Sequence, residues 1–198
     1  MRALIHVFLS IGLSLTLCSI APAQAVVREA PPQTTLEGVT IPSRIEVMER
    51  PLVLNGIALR KKAVFKVYVA GLYLPAKSAN ADAILDADAP RCLVMQFLRS
   101  VSSGKLCDAW DEDLEANTPN ASAGLKDEYK TLCEWMEDVG SGEQVTFTYT
   151  PGGGTTVRVK NKTKGILLGK DFADALFRSW IGPHPGPGPD FKRALLGG

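Results

Sequence analysis

Residues 63–75, AVFKVYVAGLYLP, constrain the fold more than any other stretch of this chain. Val64, Val67, Tyr68, Val69, Leu72 and Tyr73 are β-branched, aromatic or large aliphatic, and the run is predicted as the strongest strand of the protein. It opens behind three consecutive cations, Arg60, Lys61 and Lys62, and carries two tyrosines. A strand of this kind needs partner strands and a covering layer.

The flanking sequence supplies both. VTIPSRIEVMER (39–50) and PLVLNGIALR (51–60) alternate weakly and are predicted as short strands, and RCLVMQFLRS (91–100) returns to strand. Residues 78–86 suggest a short helix. In SSGKLCDAWDEDLEAN (102–117), Leu106, Trp110, Leu114 and Asn117 stand four, four and three apart, which stacks them on one helical face. Leu125, Tyr129, Leu132, Met136 and Val139 do the same in the next segment, which is predicted to end at Gly140. QVTFTYTPGGGTTVRVKN (144–161) reads as a hairpin turned by glycines. A helix is predicted from near Gly169 through Phe172, Ala175, Leu176 and Ser179, and a short terminal helix closes at LLGG. Strands come first and last with helices between them. The predicted class is α+β, built on an antiparallel sheet.

The first 25 residues read as a leader to be removed. Arg2 precedes a nearly uncharged apolar stretch, and AQA at 23–25 fits a small-x-small cleavage site. The expectation is cleavage after Ala25, a loose proline-bearing arm over 26–37, and one folded domain over 38–198 in a periplasmic or secreted protein. No other segment is long and apolar enough to span a bilayer, so no stable membrane insertion is expected after cleavage. Removing the leader takes one arginine and no acid from 22 basic and 21 acidic residues, leaving the remainder formally neutral. That balance argues against nucleic acid and gives no support for acidic lipid surfaces.

Several chemistries are excluded. Apart from His6 in the leader, His184 is the only histidine. It sits between prolines, a poor place for the base of a nucleophilic triad, and zinc sites built on two or three histidines are impossible. Gly152–Gly154 lack the lysine and helix start of a phosphate loop. The acidic run in 108–115 has the wrong spacing for calcium and reads as a solvated helix face. The asparagine of NKT (161–163) reads as an inert acceptor motif. No metal and no cofactor is expected. Cys92, in a strand, reads as a small buried hydrophobe. Cys107 and Cys133 fall on adjacent predicted helices and are expected to pair as a disulfide if those helices run antiparallel.

Three stretches together, NGIALRKKAVFKVYVAGLYLP, DAWDEDLEAN and DFADALFRSWIGPHPGPGPDFKRALLG, resemble the chalcone isomerase superfamily, in particular its exported bacterial chalcone-isomerase-like members. The resemblance covers residues 38–198. It implies an open-faced β-sandwich, a large antiparallel sheet with a layer of helices. Plant enzymes of this superfamily close a ring without cofactor, a phenolate attacking an enone while an arginine holds the negative oxygen. Arg60 matches that arginine, Asn117 the family asparagine and Ser179 a pocket threonine or serine. Tyr68 stands where the plant enzymes carry threonine, and Trp110 where they carry tyrosine. Each lost hydroxyl donor costs on the order of 10²–10³ in rate.

Other superfamily members bind fatty acids, with an arginine and a tyrosine on the carboxylate. The resemblance therefore implies an apolar cleft taking a small amphipathic anion, with Arg60, Tyr68, Trp110, Asn117 and Ser179 around the ligand. The alternative is a cofactor-free isomerase (an intramolecular lyase) acting on an enone-like substrate, with Arg60 catalytic. From the residues alone, plainer roles stand beside these. Arg60 could end a strand in solvent, Tyr68 and Trp110 could be core aromatics, and Asn117 and Ser179 could serve helix ends.

Overall fold

The computed structural model describes residues 32–198. The expected leader, and residues 26–31 of the expected arm, lie outside the described residues. The rest of that arm is not loose: β1 (Gln33–Leu36) pairs antiparallel with β2 (Val39–Pro42) across a tight turn at Glu37–Gly38. Alternation explains the correction. Val39 and Ile41 point down into a small apolar cluster while Thr34, Thr35 and Thr40 face solvent.

Seven further strands form one antiparallel meander in chain order: β3 (Arg44–Val47), β4 (Arg50–Lys62), β5 (Phe65–Leu74), β6 (Arg91–Phe97), β7 (Gln144–Thr150), β8 (Gly154–Val159) and β9 (Lys162–Leu167). The last of these was not anticipated. Its exposed Ile166 and lysine-rich composition hide the alternation that marks an inner strand, as suits the edge of a sheet. Helices α1 (Ala81–Asp86), α2 (Ser103–Asn117), α3 (Ala123–Glu134), α4 (Lys170–Ile181) and α5 (Pro189–Leu195) complete the chain. Ser102 and Ser122 cap α2 and α3 by accepting from Lys105 and Leu125 N–H, as short hydroxyl side chains do at helix starts. The third helix stops at Glu134, before the expected Gly140; Val139 instead bridges to Val101.

The helices cover one face of the sheet. Ala70, Leu72, Leu93, Met95, Phe97, Phe147 and Val157 project from that face against Trp110, Leu114, Phe172, Leu176 and Trp180. On the opposite face the β1–β2 hairpin covers only Leu52, Leu54, Val69, Tyr73 and Cys92. This is the expected α+β architecture, a curled antiparallel sheet layered on one side by helices. Cys92 is buried in the smaller cluster, as read from the strand. Among the described residues no helix is long and apolar enough to cross a membrane.

The candidate binding cavity

The two strands predicted over 51–60 and 63–75 pair as a tight hairpin. β4 continues through Arg60 to Lys62, turns over Ala63–Val64, and β5 returns from Phe65. Arg60 and Tyr68 are thus direct cross-strand partners, their side chains on the same face. The register slips between Arg60 and Lys61, which leaves Val67 as an extra residue in β5. A bulge of this kind re-aims side chains. Val67 and Tyr68, neighbours that would ordinarily face opposite ways, both line one cavity.

That cavity, of about 380 Å³, lies between the helix face of the sheet, α2 and the proline-glycine loop after α4. Met95, Phe97, Leu106, Trp110 and Trp180 make its apolar walls, and Arg60, Tyr68 and Asp113 are its inner polar groups. Trp110 is buried and meets Phe147 edge-on, with ring centroids 5.5 Å apart.

Tyr68 is held on three sides. Its ring packs against Phe97 and Phe191, and its hydroxyl accepts a hydrogen bond from Trp180 Nε1 at 3.2 Å. Burial raises its pKa far above the ordinary phenol value, so the group stays protonated and can donate. Arg60 is half-buried and donates from Nη1 to the Pro187 carbonyl at 2.9 Å. Its other N–H groups have no acceptor among the described residues. A guanidinium and a phenol with uncommitted donors therefore face one apolar space.

Asp113 completes the polar set, and the sequence reading had absorbed it into a solvated acidic face. Asp108, Asp111, Glu112 and Glu115 are indeed exposed, but Asp113 turns inward. The signal was present: Asp113 stands three residues after Trp110 and four before Asn117, on their face of the helix. Desolvation pushes its carboxyl up to about 7. The Ser179 hydroxyl and the Arg60 charge oppose that rise, and Glu112 adds to it. The Ser179 Oγ has no partner in hydrogen-bond geometry, so its pull is weak and desolvation prevails.

Of the five residues expected around a ligand, Arg60, Tyr68 and Trp110 line the cavity; Asn117 and Ser179 do not. Ser179 is fully buried on α4, where its carbonyl accepts from Gly186 N. Asn117 latches the loop instead. Its Oδ1 accepts from His184 N at 2.9 Å, and its Nδ2 donates to His184 O at 2.8 Å. The loop comes down so closely that a Cβ on Gly186 would stand 2.1 Å from Asp113 Oδ1, and one on Gly182 would stand 2.6 Å from Asn117 Oδ1. At Gly182 the Arg178 carbonyl, 2.5 Å from that point, also excludes a side chain, whereas at Gly186 a side chain would have to displace the Asp113 carboxyl. The Gly186–Pro187 roof, the Asp113 carboxyl and the Trp180 indole are therefore site components that the sequence reading missed.

Cys107 and Cys133, the expected pair, come near one another where α2 packs on α3. Both are free, although the two thiols are close enough for a hydrogen bond between α2 and α3.

Comparison with known proteins agrees with this architecture. No curated protein sequence matches the chain. The crystal structure of a fatty-acid binding protein from Arabidopsis thaliana is similar, with TM-score 0.68 and 16% identity, covering 83% of this chain and 96% of that one. At that identity the likeness establishes the fold alone. The family described as chalcone isomerase-like matches residues 33–197, nearly the whole described chain. The protein belongs to the chalcone isomerase-like family.

Proposed function

We propose that the protein binds a small amphipathic anion, a medium-chain fatty acid being the best fit, and that it does so as an exported protein of the periplasm or extracellular space. The observation that carries this reading is the Arg60–Tyr68 cross-strand pair, which turns uncommitted donors into an apolar cavity. A carboxylate matches the forked guanidinium, and the phenol adds a second, charge-assisted hydrogen bond. Trp110, Phe97, Met95 and Trp180 would enclose the tail. At about 380 Å³ the space is near the lower end of ordinary ligand pockets, which favours a medium chain over a long one. Asn117 and Ser179 act behind the wall, holding the loop that roofs the site. The apolar leader over 1–25 supports the export assignment.

Calorimetric titration with dodecanoate and with dodecanol tests the reading. Dodecanoate should bind at least about tenfold more tightly, the worth of one hydrogen bond to a charged group. Equal affinities would remove the role assigned to Arg60.

Asp113 favours a second reading, a cofactor-free intramolecular lyase. An internal oxyanion would attack the β-carbon of an enone, forming the C–O bond. Arg60 would hold the resulting enolate oxygen, and the protonated Asp113 carboxyl would deliver its proton to the α-carbon. Turnover of a hydroxy-enone that disappears in Arg60→Ala, in a protein that does not bind dodecanoate, would favour this reading over the first.

A further inference from the structure

The β4–β5 hairpin ends in an apolar tip. Val64 is 87% exposed and Phe65 is 54% exposed, side by side at the end of the longest strand. Two-residue hairpin turns ordinarily carry Asn, Asp or Gly, because these tolerate positive φ. Here Ala63 takes φ 53 and a valine follows it. The turn gives up favourable local chemistry and presents a hydrophobe.

Cations surround this tip. Lys61, Lys62 and Lys66 flank it on the two strands, the Arg99 guanidinium lies 4.3 Å from the Phe65 ring centroid, and Lys105 stands at the start of α2. Among the described residues only Lys66 of these has an acidic partner, Glu37. The exposed apolar residues at the other edge of the sheet, Ile166 and Leu168, have different surroundings. There the neighbouring Lys164 and Lys170 are ion-paired with Glu137 and Asp174. At the hairpin tip four of these five cations have no acidic partner among the described residues. Lys62, Phe65, Arg99 and Lys105 also line the cavity, together with the exposed Glu112, so the tip borders it.

We propose that the hairpin tip docks on an anionic lipid bilayer, with Val64 and Phe65 entering the interface and Lys61, Lys62, Lys66, Arg99 and Lys105 facing the headgroups, so that the cavity opens toward the membrane. Charge complementarity selects the partner. Two adjacent apolar side chains with flanking cations suit the boundary of an anionic bilayer, where each element is used at its own depth. The surface is too small to hold a protein partner stably by apolar contact alone. Docking rests on the ligand-binding reading only for its purpose, exchange of an amphiphile between bilayer and cavity. Contact with the bilayer is measured independently of that purpose.

The test is co-sedimentation of the full chain with vesicles of phosphatidylethanolamine and phosphatidylglycerol, alongside vesicles of phosphatidylcholine alone, with dodecanoate titration in vesicle-free buffer as a separate readout. Val64→Asp should weaken binding to the anionic vesicles by about tenfold or more, and Lys61→Glu by at least about fivefold. Leu168→Asp, at the far edge, should leave vesicle binding unchanged. Raising salt should weaken docking of the wild type. Neither Val64 nor Lys61 lines the cavity, so dodecanoate affinity should stay within about twofold in both variants, a change well under 1.4 kcal/mol. Vesicle binding that survives Val64→Asp, or that falls equally in Leu168→Asp, would overturn the proposal. So would a wild type that ignores vesicles but pellets with polyglutamate-coated beads, which would mark an acidic protein partner. A wild type that docks but binds no dodecanoate would leave docking standing and remove the fatty-acid reading.

Discussion

Two arginines stand on the same helix-facing side of the sheet, and their surroundings differ. Arg91, on β6, is 1% exposed. It forms an ion pair with Asp174, donates to the Ile84 carbonyl at 3.1 Å in the last turn of α1, and stacks between the rings of Tyr149 and Phe177, each 4.9 Å away. Lys170 holds the other oxygen of Asp174 at 2.6 Å. Only Arg91 Nε is left without a partner. Arg60, on β4, has one carbonyl acceptor and an open apolar cavity in front of it. A buried charge fully enclosed by its own protein serves the fold. A half-buried charge with unused donors can still be met by solvent or by a ligand.

The sharpest way to break this comparison is to remove each arginine in turn. Arg91→Ala strips one of the two counter-charges from Asp174, leaves Lys170 as the other, and empties a packed site, and should cost about 3–5 kcal/mol of stability in a urea titration. Arg60→Ala, by the same measurement, should cost less than about 1 kcal/mol. Comparable losses would mean that Arg60 is also structural.

Ligand titration should give the opposite ranking. Arg60→Ala should lower dodecanoate affinity by about 2–5 kcal/mol, because the carboxylate would be buried without its partner. Arg60→Lys should restore only part, since an ammonium cannot reproduce the fork. An Arg60→Ala protein that binds dodecanoate like the wild type would place the headgroup elsewhere.

Tyr68→Phe should cost about 1–3 kcal/mol of binding, the worth of one hydrogen bond to a charged group. It should also cost some stability, because Trp180 Nε1 loses its acceptor in the core. A binding loss as large as that of Arg60→Ala would make the phenol, and not the guanidinium, the main anchor.

The smallest expected effect comes from Asp113. An ionised carboxylate there repels a ligand carboxylate held by Arg60. Dodecanoate affinity should therefore rise a few-fold as pH falls through about 7, where Asp113 takes up its proton. Stability carries the same sign. Below pH 3.8, the ordinary value for this group, folded and unfolded chains both hold the proton; between there and about 7 only the folded chain does. Stability contributed by this group is thus fully present at low pH and lost as pH rises through that window. Asp113→Asn should flatten both profiles, by calorimetry and by urea titration. Persistence of the pH dependence in that variant would assign it to another group.

Much of the fold was legible because hydrophobic spacing survives without coordinates. The face formed by Leu106, Trp110 and Leu114 is buried as its spacing of four required, and the β7–β8 hairpin turns at its glycines. Misreadings fell where local signals are weak or shared. The Ala63–Val64 turn lacks the usual turn residues, so the strands on either side of it were not read as a hairpin and the Arg60–Tyr68 pairing stayed hidden. Asp113 lay in a run of five acids, where a single inward position changes the composition by nothing. The helix end at Glu134 was masked by Met136 and Val139, which keep the helical spacing beyond it.

The sequence by itself determined an antiparallel sheet covered by helices, the family, and the presence of an arginine and a tyrosine near one another in an apolar setting. These follow from periodicity, propensity and motif, which are properties of neighbours along the chain. Only the tertiary structure decided that the two face one cavity as cross-strand partners, that Asn117 holds a loop and does not touch the space, and that Asp113 stands beside Arg60 while Arg91 is paired with Asp174. Register, bulges and desolvation depend on residues far apart in sequence, and a side chain's charge acquires its role only from what surrounds it.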